Sequence, residues 1–216
     1  MKAVLFDLDG TVTDPGIGIT NSVMYAARKF GIEPPPRQEL YCFIGPPLRE
    51  SFSKYFGLSA EQSEKAVEYY REYYRPTGIF ECKLYDGIIE AFEKIKKEGV
   101  AVALATAKPD IFAEQIAKKF GFYEYLSFLS GASLDNSRDD KADIIALALR
   151  NLPDVTPENA VMVGDRSYDV ESGKKLGLKT VGALYGYGSR EELSSADALA
   201  ENAYQTAVLA LQLLNK

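Results

Sequence analysis

Apolar runs that end in polar turns, separated by amphipathic helical stretches, predict an α/β protein with a mostly parallel sheet and a helical cap inserted early in the chain. Three observations carry this expectation. Strand-like and helix-like runs alternate from about residue 84 onward. Chemically versatile residues recur just after the strand-like runs, where open α/β sheets form ligand sites. From about Thr13 to Glu81 the rhythm breaks into helical patterns too extended for an ordinary loop.

Ala3 to Phe6 reads as a short buried strand, with Asp7 opening the turn at its end. Val100 to Ala105 is the second core strand, Leu126 to Leu129 the third, Ala160 to Val163 the fourth and Lys179 to Leu184 the fifth. Helices fill the intervals at Gly87 to Glu98, Asp110 to Phe120, Ala142 to Asn151 and Tyr168 to Leu176; Ile88, Ala91, Phe92 and Ile95 show the helical spacing. Within the insert, Thr20 to Phe30 is helical, Pro34 to Pro36 force a break, and Leu48 to Phe56 and Ala60 to Tyr74 return to helix. Ser59, with Gln62 three residues on, has the pattern of an N-cap. Ala203 to Leu214 forms a last apolar helix, suited to finishing the core or to a dimer contact. The division expected is a core of residues 1–13 and 84–216 around a cap of residues 14–83.

The 216 residues suffice for one α/β domain with a smaller insert. The formal charge of -6, without a basic tail, argues against a nucleic-acid partner, whereas a small anionic substrate needs only a local positive pocket. Cys42 and Cys82 are too few for a disulfide scaffold or a cysteine-ligated zinc site and read as reduced thiols. With neither a signal-peptide core nor a membrane-length apolar run, a cytoplasmic protein with no membrane association is expected. The absence of histidine removes every mechanism that needs a protein imidazole. Carboxylates, lysines, hydroxyls, arginines or an external metal must do the chemistry.

Phe6-Asp7-Leu8-Asp9-Gly10-Thr11 sets two carboxylates beyond a strand, with Gly10 allowing a sharp turn. Gly164-Asp165-Arg166-Ser167-Tyr168-Asp169 repeats the arrangement, its carboxylates four positions apart. By themselves these residues leave two readings open: an oxygen-rich Mg²⁺ site where two strand ends converge, or two unrelated solvated turns. Lys141, among Asp139, Asp140 and Asp143, taken alone reads as an exposed helix residue.

Together, Asp7 to Thr11 (DLDGT), Thr106 with Lys108, Lys141, and Gly164 to Asp169 (GDRSYD) resemble the haloacid-dehalogenase-like hydrolase superfamily. The branch they are most similar to is the phosphoglycolate-phosphatase-like one with an inserted helical cap, and the match in order and spacing spans most of the chain. The resemblance implies a Rossmannoid core, Mg²⁺ as cofactor and phosphatase chemistry. It makes Asp7 the nucleophile that forms an aspartyl-phosphate. Asp9 would protonate the leaving oxygen and then activate water, its backbone carbonyl approaching the metal. Asp165 would be the second metal-binding carboxylate beside Asp7, and Asp169 a supporting group that acts through water or orients its neighbours. Thr106 would donate its hydroxyl to phosphate, and Lys141 would bind both Asp7 and phosphate. Ala107 stands where the familiar pattern has asparagine, a departure that bears on substrate preference. Ala107, Lys108, Arg166 and, in the cap, Arg49 are the candidate substrate contacts.

The segment Cys42 to Arg49 contains Gly45, Pro46 and Pro47 and is the expected substrate-facing cap loop, with cap construction as the competing reading. It also resembles a nucleotide-phosphatase-like group containing FIGPPL. Tyr69, Tyr70, Tyr73 and Tyr74 suit packing or self-association better than nucleoside stacking, and Tyr185-Gly186-Tyr187-Gly188 reads as a flexible aromatic loop near the sheet end. The expected reaction is hydrolysis of a small phosphorylated metabolite, phosphoglycolate-like first and a nucleoside monophosphate (5'-nucleotidase) as the alternative. The second aspartate, Asp9, argues against dehalogenation. A sugar-phosphate mutase and a non-catalytic phosphate-metabolite-binding protein are the further alternatives, and a monomer or homodimer is expected.

Overall fold

A computed structural model of the protein describes residues 1–134 and 137–215. The chain forms two compact units, Met1–Asp14 together with the chain from Leu84 onward, and Pro15–Lys83. The strands are β1 (Ala3–Phe6), β2 (Thr13–Asp14), β3 (Lys83–Leu84), β4 (Ala101–Pro109), β5 (Phe128–Ala132), β6 (Ala160–Gly164), β7 (Lys179–Ala183) and β8 (Ala198–Ala200). The α-helices are α1 (Gly16–Lys29), α2 (Leu48–Phe56), α3 (Ala60–Tyr74), α4 (Ile88–Lys97), α5 (Asp110–Lys119), α6 (Lys141–Arg150), α7 (Ser167–Lys175) and α8 (Ala203–Leu214).

The first unit is built on a sheet of order β5-β4-β1-β6-β7-β8 whose neighbouring strands pair in parallel. Every residue of β1 and of β6 is buried, as a parallel sheet covered on both faces requires. From β1 the chain builds outward through β4 and β5, then returns to place β6 on the other side of β1. The order therefore reverses at β1, and its carboxyl end is the switch point where such sheets hold ligands. The apolar face of α4, Ile88, Ala91, Phe92 and Ile95, is buried. Phe92 meets Phe6 edge-on at 5.1 Å between ring centroids and lies 6.2 Å from Phe122. Ala3, Leu5, Ala103, Ile144, Ile145 and Met162 belong to a second buried cluster.

Several boundaries differ from those expected. The third core strand, expected at Leu126 to Leu129, pairs from Phe128 to Ala132, because a 3₁₀ turn occupies Tyr123–Tyr125 and the Ser127 N–H first bonds the Val102 carbonyl at 2.7 Å. The second runs on past Ala105 to Pro109, with a register shift between Thr106 and Pro109. The helix at Lys141 begins one residue early, because Asp140 caps it, accepting from Ala142 N at 2.8 Å and Asp143 N at 3.3 Å. The short strand β8 has only three residues and no alternating pattern to announce it.

The second unit is helical, with 3₁₀ turns at Arg37–Phe43 and Gly78–Phe80. Ser59 and Gln62 form the expected reciprocal cap at the start of α3. The tyrosine run divides by helix face: Tyr70 and Tyr74 are buried and stacked at 5.2 Å, Tyr69 lies edge-on to Phe30, and Tyr73 donates to Glu81. Packing thus absorbs most of the run. Among the described residues, no helix is long and apolar enough to cross a membrane.

Because Phe92 joins α4 to both Phe6 and Phe122, Phe92→Ala should destabilise the protein by about 3–5 kcal/mol, read as a lowered urea midpoint. A midpoint within error of the parent would mean that the cluster does not hold the helix to the sheet.

Candidate active site

Phe6, the last residue of β1, lies opposite Leu104 on one side and Val163 on the other; β6 ends one residue farther on, while β4 continues to Pro109. Asp7 continues the ladder, its N–H donating to the Val163 carbonyl at 2.8 Å. One turn beyond β6, Asp165 and Asp169 arrive at the same edge. Asp7, Asp165 and Asp169 each offer a carboxylate oxygen, all within 4.8 Å of one another, and all three residues are buried.

Lys141 lies between two of them. Its Nζ donates to Asp7 Oδ1 at 2.6 Å and contacts Asp169 Oδ1 at 2.7 Å. The side chain expected to be exposed on composition alone is only 8% exposed. Burial works against its charge, but the Asp169 and Asp7 carboxylates outweigh that and leave its pKa raised. Asp9 is held separately. Its Oδ2 meets Lys108 Nζ at 2.6 Å, while its Oδ1 is buried with no hydrogen-bond partner. Lys108, two residues beyond the buried Thr106, is buried as well and the intervening Ala107 is exposed, in the stretch where the register against β5 shifts. Lys108 N donates to the buried Thr106 Oγ1 at 3.2 Å.

Asp165 is fixed at both oxygens, by Thr11 Oγ1 on Oδ1 at 3.2 Å and by Tyr187 N on Oδ2 at 2.8 Å. Gly10, at φ +90°, permits this approach, since a Cβ there would stand 2.2 Å from Asp165 Oδ2. Asp169 takes the Arg166 N–H on Oδ2 at 3.1 Å and so closes the first turn of α7. Arg166 is the helix cap, and its Nε pairs with Glu192 Oε1 at 2.8 Å. Arg49 lies in the second unit, paired with Glu64. Sequence reasoning missed the parts played by Thr11, Tyr187 and Glu192. Thr11 stood inside a recognised motif and the Tyr185–Gly188 run was visible as a loop, but nothing near Glu192 marked it out.

The electrostatics fit a divalent cation. Asp7, Asp9, Asp165 and Asp169 face two ammonium groups, Lys108 and Lys141, so full ionisation would leave two negative charges over in a buried region. Burial, then Asp169 and Asp7, push the Asp165 carboxyl well above its ordinary range. Burial raises Asp169 to about 6 despite Lys141, and raises Asp9 despite Lys108. Hard carboxylate oxygens at this spacing, with that charge excess, are the donor set Mg²⁺ prefers.

A family model described as haloacid dehalogenase-like hydrolase matches residues 4–183. The chain belongs to the haloacid dehalogenase-like hydrolases. It is 39% identical over 193 residues to a 5'-nucleotidase of Pseudomonas aeruginosa, covering 88% of this chain and 86% of that one. It is 38% identical to the tyrosine-protein kinase PtkA of Mycobacterium tuberculosis over 87% of this chain but only 63% of that protein's length. With a phosphoglycolate phosphatase of Aquifex aeolicus the identity is 28%, over 87% of this chain and 86% of the other. The crystal structure of a predicted phosphatase from Clostridium acetobutylicum superposes with a TM-score of 0.93 at 38% identity, covering 98% of each chain. With this family's acidic cluster in place, the chain is a phosphoric monoester hydrolase.

The shifts also set a pH dependence. Asp165 and Asp169 have native pKa values above the ordinary 3.8, so the folded protein binds protons that the unfolded chain releases. Metal-free stability therefore falls as pH rises from 3.8 through about 6, the Asp169 window. Mg²⁺ competes with those protons, so it should raise Tm more at about pH 7.5 than at about pH 5. Equal shifts in differential scanning calorimetry would mean that these carboxylates are not its ligands.

Proposed function

We propose that the protein hydrolyses small phosphate monoesters through an aspartyl-phosphate on Asp7, and that nucleoside monophosphates are its substrate class. The observation that carries the mechanism is the unequal setting of two carboxylates only two positions apart. Asp7 lies with Lys141 and the acidic cluster, whereas Asp9 has one oxygen on Lys108 and the other buried without a partner. Environments that separate two carboxyl groups in this way assign them different tasks.

An Asp7 oxygen attacks phosphorus and the bond to the ester oxygen breaks. The departing oxygen takes its proton from Asp9, whose carboxyl is held protonated more readily by burial. Water then attacks the same phosphorus, gives a proton to Asp9, and releases inorganic phosphate as the bond to Asp7 breaks. Lys141 holds Asp7 in the attacking orientation and offsets the charge of the incoming phosphate. Thr106, in β4 just before its register shifts, supplies a hydroxyl for a phosphate oxygen. Asp7, Asp165 and the Asp9 backbone carbonyl are the proposed Mg²⁺ ligands, with Asp169 in support; the ion, when bound, neutralises phosphate charge and aligns it. Lys108 pairs with Asp9 and Arg166 caps α7, so each would meet a substrate from a position the fold already fixes.

The preference between substrate classes moves from the one first expected. Identity to the 5'-nucleotidase, 39%, exceeds that to the phosphoglycolate phosphatase, 28%, at equal coverage of the relatives.

Asp7→Asn should lower kcat by at least about a thousandfold while the circular dichroism spectrum is kept. Ordinary turnover in that variant would remove Asp7 as nucleophile. At common Mg²⁺, kcat/KM for nucleoside monophosphates should exceed that for phosphoglycolate and for small sugar phosphates. The reverse order would restore the phosphoglycolate reading, and failure on all of them would favour a binding protein.

A further inference from the structure

The segment after β7 is moulded onto the start of the β6–α7 turn residue by residue. Asp165 receives the Tyr187 N–H on Oδ2 at 2.8 Å. A Cβ at Gly186 would stand 2.4 Å from Asp165 Cβ and 2.3 Å from Gly10 O, and one at Gly188 would stand 1.9 Å from the Asp165 carbonyl oxygen. Neither position has room for a larger residue. Farther along, Glu192 Oε1 accepts from Arg166 Nε at 2.8 Å and from Ser167 N at 2.9 Å, taking up the next two residues of the same turn.

The segment is itself anchored to the opposite wall. Tyr185 OH donates to the Thr11 carbonyl at 2.9 Å, and the Thr11 hydroxyl is the other donor to Asp165. Tyr185 lies edge-on to Tyr85 at 4.9 Å between centroids, and Tyr187 OH donates to Asp14. Asp165 is thus gripped between two loops that are tied to each other by tyrosine hydroxyls. A plain surface loop needs none of these contacts.

We propose that residues Tyr185 to Glu192 form a positioning element for Asp165: they hold its carboxylate in the orientation that binds the divalent cation, and Tyr187 is the residue on which this depends. The inference rests on Asp165 being a metal ligand, as set out above. Tyr187 acts twice, through its amide on Asp165 and through its hydroxyl on Asp14, so removing only the hydroxyl loosens the amide without touching the metal site. Groups that orient metal ligands commonly change metal affinity by about 10- to 100-fold when lost.

The test is direct binding of Mn²⁺, as a paramagnetic substitute for Mg²⁺, to the metal-free protein, followed by the loss of free-ion electron paramagnetic resonance signal. Tyr187→Phe should raise the Mn²⁺ dissociation constant by about threefold or more, and Gly186→Ala by about tenfold or more. Substrate KM at saturating metal should stay close to that of the parent. Asp165→Asn serves as the reference. If it abolishes binding while Tyr187→Phe and Gly186→Ala bind as the parent does, the positioning role is overturned and the metal site stands. If Asp165→Asn itself binds normally, the metal assignment fails, and the inference with it. Should Gly186→Ala not fold, Tyr187→Phe alone decides, because it leaves the backbone unchanged. A fall in Tm with unaltered Mn²⁺ affinity would reduce the loop to a structural part and also overturn the proposal.

Discussion

Like charges gathered in a buried place are costly, and the first unit is organised around one such gathering. Asp7 comes from the end of β1, and Asp165 and Asp169 from the turn after β6. A buried carboxylate is tolerated only when paired or hydrogen-bonded, and each of these is: Asp7 and Asp169 on Lys141, Asp165 on Thr11 and Tyr187. Yet on full ionisation the pairing would be incomplete by two charges. The fold therefore spends part of its stability on holding a region that favours an incoming cation, which is what a metal-assisted phosphate site requires and what a structural ion-pair network avoids.

Two aspartates two residues apart are separated by devices on different elements. Asp140 starts α6 early enough that Lys141 is its first residue, and buries that lysine against Asp7. Near the end of β4, where the register shifts, Lys108 is buried against Asp9. Lys141 pairs with Asp7, and Lys108 pairs with Asp9. A small change at the helix cap or at the bulge would thus act first on one carboxylate, and would reach the other through the Asp7 and Lys141 charges that Asp9 feels.

Much of this was legible in the chain. The strand at Ala3–Phe6, the helices at Leu48–Phe56, Ala60–Tyr74 and Ala203–Leu214, and the glycine-terminated acidic turns have local signatures that tertiary packing did not overrule. What could not be read was non-local. Lys141 looked like a member of a solvated charge run, because the aspartate that buries it lies far away in sequence. Lys108 looked interchangeable with a surface lysine, because Asp9, its partner, stands beyond another strand. Glu192 carried no mark, since its partners Arg166 and Ser167 belong to another turn. The shifted start of β5 has the same origin, its first residue being decided by the register against Ala103.

The position of β1 has a consequence for how the protein is made. It leaves the ribosome before both of its neighbours in the sheet, β4 and β6, with Ala3 opposite Ala101 and Ala160. At ordinary rates of synthesis its second edge has no partner for roughly ten to thirty seconds. The strand that leads into Asp7 is therefore made before either neighbour and completed late, an apolar ribbon waiting through the translation of the whole helical insert. Its brevity, four residues, limits what it can wrongly pair with in that interval.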